Sequence, residues 1–211
     1  RQRREIKSAF SQYLSPALVS RISRAPGLLK LGGEQKDLSI LFADLRGFTT
    51  VSESFKDDPT TLTSIINRIL TPLTEIVHAH QGTVDKYIGD CIMAFWNAPF
   101  DVDDHAEKAV QAAVAMVNAM PGINAALEEE FGHSGFHLGI GVNSGSVVVG
   151  NIGSQTRFDY SVLGDAVNLS ARLEGQSKVY GVDIVVGEAT QGQIDKSRSS
   201  LVQIDQLRVK G

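Results

Sequence analysis

The chain has 211 residues, 42% hydrophobic and 21% charged, the make-up of a globular domain able to bury a sizeable core. A net charge of −4 and a single cysteine, Cys91, argue against a basic nucleic-acid-binding face and exclude an internal disulfide framework. No run approaches the ~18 apolar residues of a membrane helix, and the unpaired cysteine suits a reducing compartment, so a soluble, cytoplasmic domain is the expectation. It begins with Arg1 and not Met, so a piece of a longer protein is the expectation.

From the N-terminus, Arg1 to Arg24 reads as helical, with Ile6, Phe10, Tyr13 and Leu14 at helical spacing and Ser15-Pro16 opening a second short helix. Pro26-Gly27 and Gly32-Gly33 punctuate a connector, which divides the chain into a helical segment, 1–33, and a core domain, 34–211. The core opens with Leu38-Ser39-Ile40-Leu41-Phe42-Ala43, an apolar run that predicts a strand buried on both faces and stops at Asp44. A carboxylate there suits a hard divalent cation, and the backbone N–H groups of Gly47, Phe48 and Thr49 open a helix in the manner of an anion site.

Thr60 to His80 predicts a long helix after the Asp57-Asp58-Pro59 break. Thr83 to Ile88 and Cys91 to Trp96 predict two strands in a tight hairpin over Gly89-Asp90. Strand parity puts Lys86 on the same face as Val84 and Ile88, an unusual place for a lysine without a partner or a ligand. If the hairpin lies beside the first strand, Asp90 comes close to Asp44, and two such carboxylates can hold two divalent ions.

Asp104-His105-Ala106-Glu107 has capping-box spacing and opens a helix that Pro121-Gly122 is expected to interrupt. His137 to Val149 predicts a second hairpin around Asn143-Ser144-Gly145, with Gly139, Gly141 and Gly145 allowing a close backbone approach. Gly164 begins a helix that places Asn168 and Arg172 four apart on one face, a donor pair suited to a phosphate or a sugar. A strand over Asp183 to Val186, a short helix and a last strand from Leu201 to Val209 complete the reading.

Three stretches together carry a resemblance: Phe42-Ala43-Asp44-Leu45-Arg46-Gly47-Phe48-Thr49, Lys86-Tyr87-Ile88-Gly89-Asp90, and Leu163-Gly164-Asp165-Ala166-Val167-Asn168-Leu169-Ser170-Ala171-Arg172. In order and spacing they resemble the catalytic domain of class III nucleotidyl cyclases, specifically bacterial-type adenylate cyclases, over roughly Asp37 to Lys210. The resemblance implies an α+β fold, a ferredoxin-like βαββαβ-type sheet with helices on one face, active as a homodimer. It further implies conversion of ATP to cyclic AMP and pyrophosphate. Two Mg²⁺ or Mn²⁺ ions would sit on Asp44, Asp90 and the Leu45 carbonyl.

By the same resemblance Lys86 and Ser161 read the purine, Asn168 and Arg172 hold the ribose and stabilise the transition state, and Lys210 lies near the lysine that meets the terminal phosphates. Serine at 161 departs from the Asp or Thr usual there in adenylate cyclases, which opens the question of ATP against GTP. The segment 1–33 then couples an upstream sensor or membrane domain to the catalytic domain. The alternative readings are a cyclase with relaxed base choice and a catalytically silent nucleotide-binding domain of the same fold.

Overall fold

The computed structural model describes residues 31–195 and 201–206. The helices expected over Arg1 to Arg24, and Lys210, lie outside the described residues.

The apolar run before Asp44 belongs to a longer strand, β1 (Gly32–Arg46), in which Leu38 to Ala43 are all buried. Arg46 is followed by Gly47 at φ 80°, a left-handed turn that glycine adopts without penalty and that starts α1 (Phe48–Ser54). Asp58 caps α2 (Pro59–Ala79) by accepting from the Thr61 N–H at 3.1 Å. The expected hairpin forms from β2 (Thr83–Ile88) and β3 (Cys91–Trp96). Then come α3 (His105–Phe131), β4 (His137–Gly153), β5 (Phe158–Leu163), α4 (Asp165–Tyr180), β6 (Ile184–Val186) and α5 (Glu188–Gln191).

The strands form one sheet in the order β2-β3-β1-β4-β5, all antiparallel, with β6 parallel to β4 along Ile140 to Val142. Helices α2 and α3 cover one face, packing Ile65, Ile69 and Met116 against Leu41, Ala43 and Ile140. These two helices form the expected layer on one face, whereas α4 lies on the other. By length and composition α3 could cross a membrane, yet Ala109, Ala113, Met116 and Leu127 are buried in this core.

The opposite face carries a second, smaller core of Leu38, Ile40, Phe42, Phe95, Val147 and Val149. There α4 is laid directly on the sheet. A Cβ on Gly141 would stand 2.2 Å from the Glu174 nitrogen and the Ser170 oxygen, so only glycine admits the helix this close. Ser170 fastens it by donating to the carbonyls of Ile40 and Gly141. Around this face the sheet curls until its outer strands meet, with Ser161 of β5 bonded to Asp85 of β2.

Four expectations are corrected. No turn forms at Asn143-Ser144-Gly145, because β4 runs straight through and pairs with β1 along its whole length. The polar side chains that suggested a turn are instead buried: Ser144 bonds Ser39 and Thr190, and Asn143 donates to the Ala166 carbonyl while its Oδ1 accepts no hydrogen bond among the described residues.

Pro121-Gly122 does not interrupt α3; both residues face outward, while Met120, Ile123 and Leu127 hold that stretch in the core. Asp104 sits in a left-handed conformation and makes no side-chain cap. Residues 201–206 form no strand.

Candidate active site

The end of β1 and the tip of the β2–β3 hairpin lie side by side because β3 pairs with β1 from Ser39 to Ala43. This register brings Asp44 and Asp90 together as the sequence predicted. Burial pushes the Asp44 carboxyl above the usual carboxylate range, and the negative charge of Asp90 pushes it further. Asp90 is raised by burial too, and the Leu45 backbone amide holds both carboxyls down in part. Two half-buried acids with no cationic side chain paired to either, among the described residues, form a donor set that fits a hard divalent cation.

A third carboxylate escaped the sequence reading. Glu174 of α4 is raised by burial and then by Asp44, with Asp90 adding a smaller push and Arg46 pulling the other way. Its oxygen would stand 2.8 Å from a Cβ on Gly139, the strand residue paired with Asp44. Gly139 and Gly141, two of the three glycines read as close-approach positions, were the available signal. Cys91 feels the same charges: burial, then Asp44, Glu174 and Asp90, lift its thiol to about 12. Arg46 bonds the Val182 carbonyl and Ser177 and pairs with Asp183, while its Nε lies beside Glu174 with no hydrogen bond among the described residues.

Gly47 and α1 follow directly on Asp44. The first bonds within this helix run from Thr50 and Val51 to the Gly47 carbonyl, which leaves the Phe48 and Thr49 amides ahead of them. The Phe48 ring packs partly into the main core.

The purine-reading candidates, Lys86 and Ser161, also converge, through a residue the sequence reading passed over. Between Val84, paired with Ala94, and Lys86, paired with Met93, strand β2 carries a bulge, and Asp85 is its extra residue. Ala94 belongs to the helix-side core and Met93 to the second core, so the bulge turns Lys86 to the face opposite Val84. The parity expectation for Lys86 is therefore reversed. Its partner, missing from the sequence pattern, is the Asp85 carboxylate 3.3 Å away, fully buried where Lys86 is 44% exposed. Ser161 donates to the other Asp85 oxygen at 2.6 Å.

Asn168 and Arg172 project from α4 as expected, Asn168 exposed and Arg172 half-buried, with no hydrogen bond or ion pair among the described residues. No such contact joins the Asp44–Asp90 pair to the Lys86–Ser161 pair within the described chain.

Comparison with known proteins follows from this geometry. Residues 33–211 match the model of the adenylate and guanylate cyclase catalytic domain. Adenylate cyclase 1 of Rhizobium meliloti is 33% identical over 184 residues, 87% of this chain and 27% of that protein. The adenylate cyclase of Anabaena cylindrica is 35% identical over 179 residues, 82% of this chain and 34% of that protein. The chain thus spans about a third or less of the length of these relatives.

Among solved structures, the guanylyl cyclase Cya2 matches with a TM-score of 0.70 and 34% identity, covering 77% of this chain and 80% of that one. The adenylyl cyclase CyaB from P. aeruginosa matches with a TM-score of 0.69 and 31% identity, covering 77% and 82%. Similar chains therefore include cyclases of both base preferences.

Proposed function

The chain belongs to the adenylate and guanylate cyclase catalytic domain family, and from that premise we propose that it converts ATP to 3′,5′-cyclic AMP and pyrophosphate. The observation that carries this reading is the Asp44–Asp90 pair, two neighbouring acids whose raised pKa values ask for a cation.

In the reaction the ribose 3′-oxygen forms a bond to the α-phosphorus while the bond from that phosphorus to the β-phosphate oxygen breaks. Pyrophosphate leaves with that electron pair, and the hydroxyl proton passes to solvent. Two Mg²⁺ or Mn²⁺ ions on Asp44, Asp90 and the Leu45 carbonyl would lower the pKa of the attacking hydroxyl and screen the leaving group. The amides of Gly47, Phe48 and Thr49 receive phosphate oxygens, and Lys210 meets the terminal phosphates. Asn168 orients the ribose, and Arg172 donates to the charge growing on the α-phosphoryl oxygens. Lys86 and Ser161 hold the base.

Two residue sets joined by no hydrogen bond or ion pair among the described residues suit a homodimer, in which the Asp44 set of one protomer faces the Lys86, Asn168 and Arg172 set of its partner. The exposed apolar side chains Tyr87, Ile88 and Leu163 are consistent with such a partner. Residues 1–33 serve as a coupling segment from an upstream sensor or membrane domain, and 34–211 as the catalytic domain, placed in the cytoplasm with its ATP.

The test is product identity by mass spectrometry, with concentrated protein, Mn²⁺ and equal ATP and GTP. Cyclic AMP as the dominant product is expected. Nucleotide binding without any cyclic product would overturn the reading in favour of a silent regulatory domain.

A further inference from the structure

We propose that Asp85 sets the base choice of this site as a positioning residue: it holds the hydroxyl proton of Ser161, leaving Ser161 an acceptor only, and steadies the Lys86 ammonium as the donor beside it. The inference rests on the cyclase reading above for the place where the base binds. It deepens that reading at the position where this chain departs from the Asp or Thr usual in adenylate cyclases.

The argument begins with what a serine can do. A hydroxyl has one proton and two lone pairs, so an unconstrained Ser161 would donate to a guanine oxygen as readily as it accepts from an adenine amino group. Here the proton is already committed, because a carboxylate can only accept and Ser161 Oγ lies 2.6 Å from Asp85 Oδ2. What remains for a base is a lone pair. Lys86 supplies the complement: an ammonium has three donors and no acceptor, and Asp85 Oδ1 sits 3.3 Å from its Nζ.

Donor and acceptor side by side fit adenine, which offers an amino donor at N6 and an acceptor at N1. Guanine reverses both, with an acceptor at O6 and an N–H at N1. Each of its atoms would then meet a like group.

Asp85 is built for this task. Its side chain is fully buried, and among the described residues the Lys86 ammonium is the one charge paired with its Oδ1. Burial pushes the carboxyl up, while the Ser161 hydroxyl, Lys86 and the Val162 amide draw it back towards the ionised form that the arrangement needs. The position depends on the bulge in β2. In a regular strand Asp85 and Lys86 would face opposite sides of the sheet and could not act on one base edge. The meeting of the two outer strands then delivers Ser161 from β5.

The experiment uses the whole chain with Mn²⁺ and two readouts for ATP and for GTP: kcat/KM for cyclic product, and displacement of a fluorescent ATP analogue. Wild-type protein is expected to favour ATP in both. Asp85→Asn and Asp85→Ala should each lower the ATP/GTP ratio by about tenfold or more, since one oriented hydrogen bond is commonly worth a factor of that order. Adding Ser161→Asp to Asp85→Ala puts a fixed acceptor on β5 directly and should restore the preference, a rescue that a merely structural Asp85 would not show.

A ratio unchanged within about twofold in both single variants would overturn the proposal. So would wild-type protein that binds GTP as tightly as ATP. Should the Asp85 variants fail to fold, Ser161→Ala takes their place, and an intact ratio there overturns it equally. Wild-type protein that makes no cyclic product, yet discriminates between the bases in displacement and loses this in the variants, would overturn the cyclase reading and uphold the role of Asp85.

Discussion

Two clusters of buried acid sit in this chain, and burial raises the carboxyls of both. They differ in what answers the charge. At Asp85 the answer is internal: a serine hydroxyl on one oxygen and a lysine on the other, delivered by two strands that meet. At Asp44 and Asp90 the neighbours are more acid, Glu174 and the thiol of Cys91, and the nearby Arg46 bonds Ser177 and the Val182 carbonyl and acts on Glu174 alone of the three acids. A raised pKa alone therefore does not say what a carboxylate is for. A satisfied acid orients its neighbours, whereas an unsatisfied one is open to a cation from outside the chain.

The largest effect comes from emptying the open cluster. Asp44→Ala is expected to bring cyclase activity below detection while circular dichroism and melting behaviour stay near wild type, because the side chain is half-buried and its loss opens no core cavity. Arg172→Ala removes a donor to the transition state and should cost on the order of 100-fold or more. Mixing the two inactive chains should restore partial activity, since one of the two sites in a mixed dimer would keep every residue. Full activity in Asp44→Ala would end the metal-site reading, and absence of rescue on mixing would end the shared-site reading.

A smaller loss should follow from disturbing the bond between the clusters and the sheet. Helix α4 carries Glu174 on its sheet side and Asn168 and Arg172 on its outer side, and Gly141 sets how close it lies. In Gly141→Ala the new methyl meets backbone at 2.2 Å, so the helix must shift. A destabilisation of about 1–3 kcal/mol and a lowered kcat are expected, checked by chemical denaturation and steady-state kinetics. Unaltered stability would show that α4 is held less tightly than its contacts imply.

The elements legible in the sequence were those in which local pattern and tertiary need agree. The apolar run ending at Asp44 and the Gly89-Asp90 hairpin are such cases, and they sufficed to bring Asp44 and Asp90 together. The misses share a cause. Asn143-Ser144-Gly145 has turn chemistry, but Ser39 and Thr190 bond the Ser144 hydroxyl and the Ala166 carbonyl takes the Asn143 amide N–H inside the sheet, so the strand continues. Pro121 sits exposed on the outer side of α3, and its buried neighbours Met120 and Ile123 keep the helix whole. The orientation of Lys86 failed for a similar reason. A one-residue bulge leaves no mark in the pattern Thr83-Val84-Asp85-Lys86-Tyr87-Ile88, yet it reverses every face after it. Asp85 and Glu174 were missed because each acts through a partner distant in sequence.

The subtlest consequence of the comparison is thermodynamic. Asp44, Asp90 and Glu174 all have folded-state pKa values above the ordinary 3.8 or 4.5, so the folded chain holds more protons than the unfolded one through that window. The stability tied to their protonated forms is complete below the ordinary values and is lost as pH rises through the raised ones. A divalent cation binds the deprotonated acids, so its stabilising effect must grow with pH over the same range. Melting temperatures from pH 4 to pH 8, with and without Mn²⁺, should show a gap that widens with pH to a few degrees. Asp90→Asn should narrow that gap and raise the metal-free melting temperature near pH 7, whereas Asp85→Asn should leave the Mn²⁺ gap in place. An equal Mn²⁺ shift in Asp90→Asn and wild type would erase the distinction between the open cluster and the satisfied one.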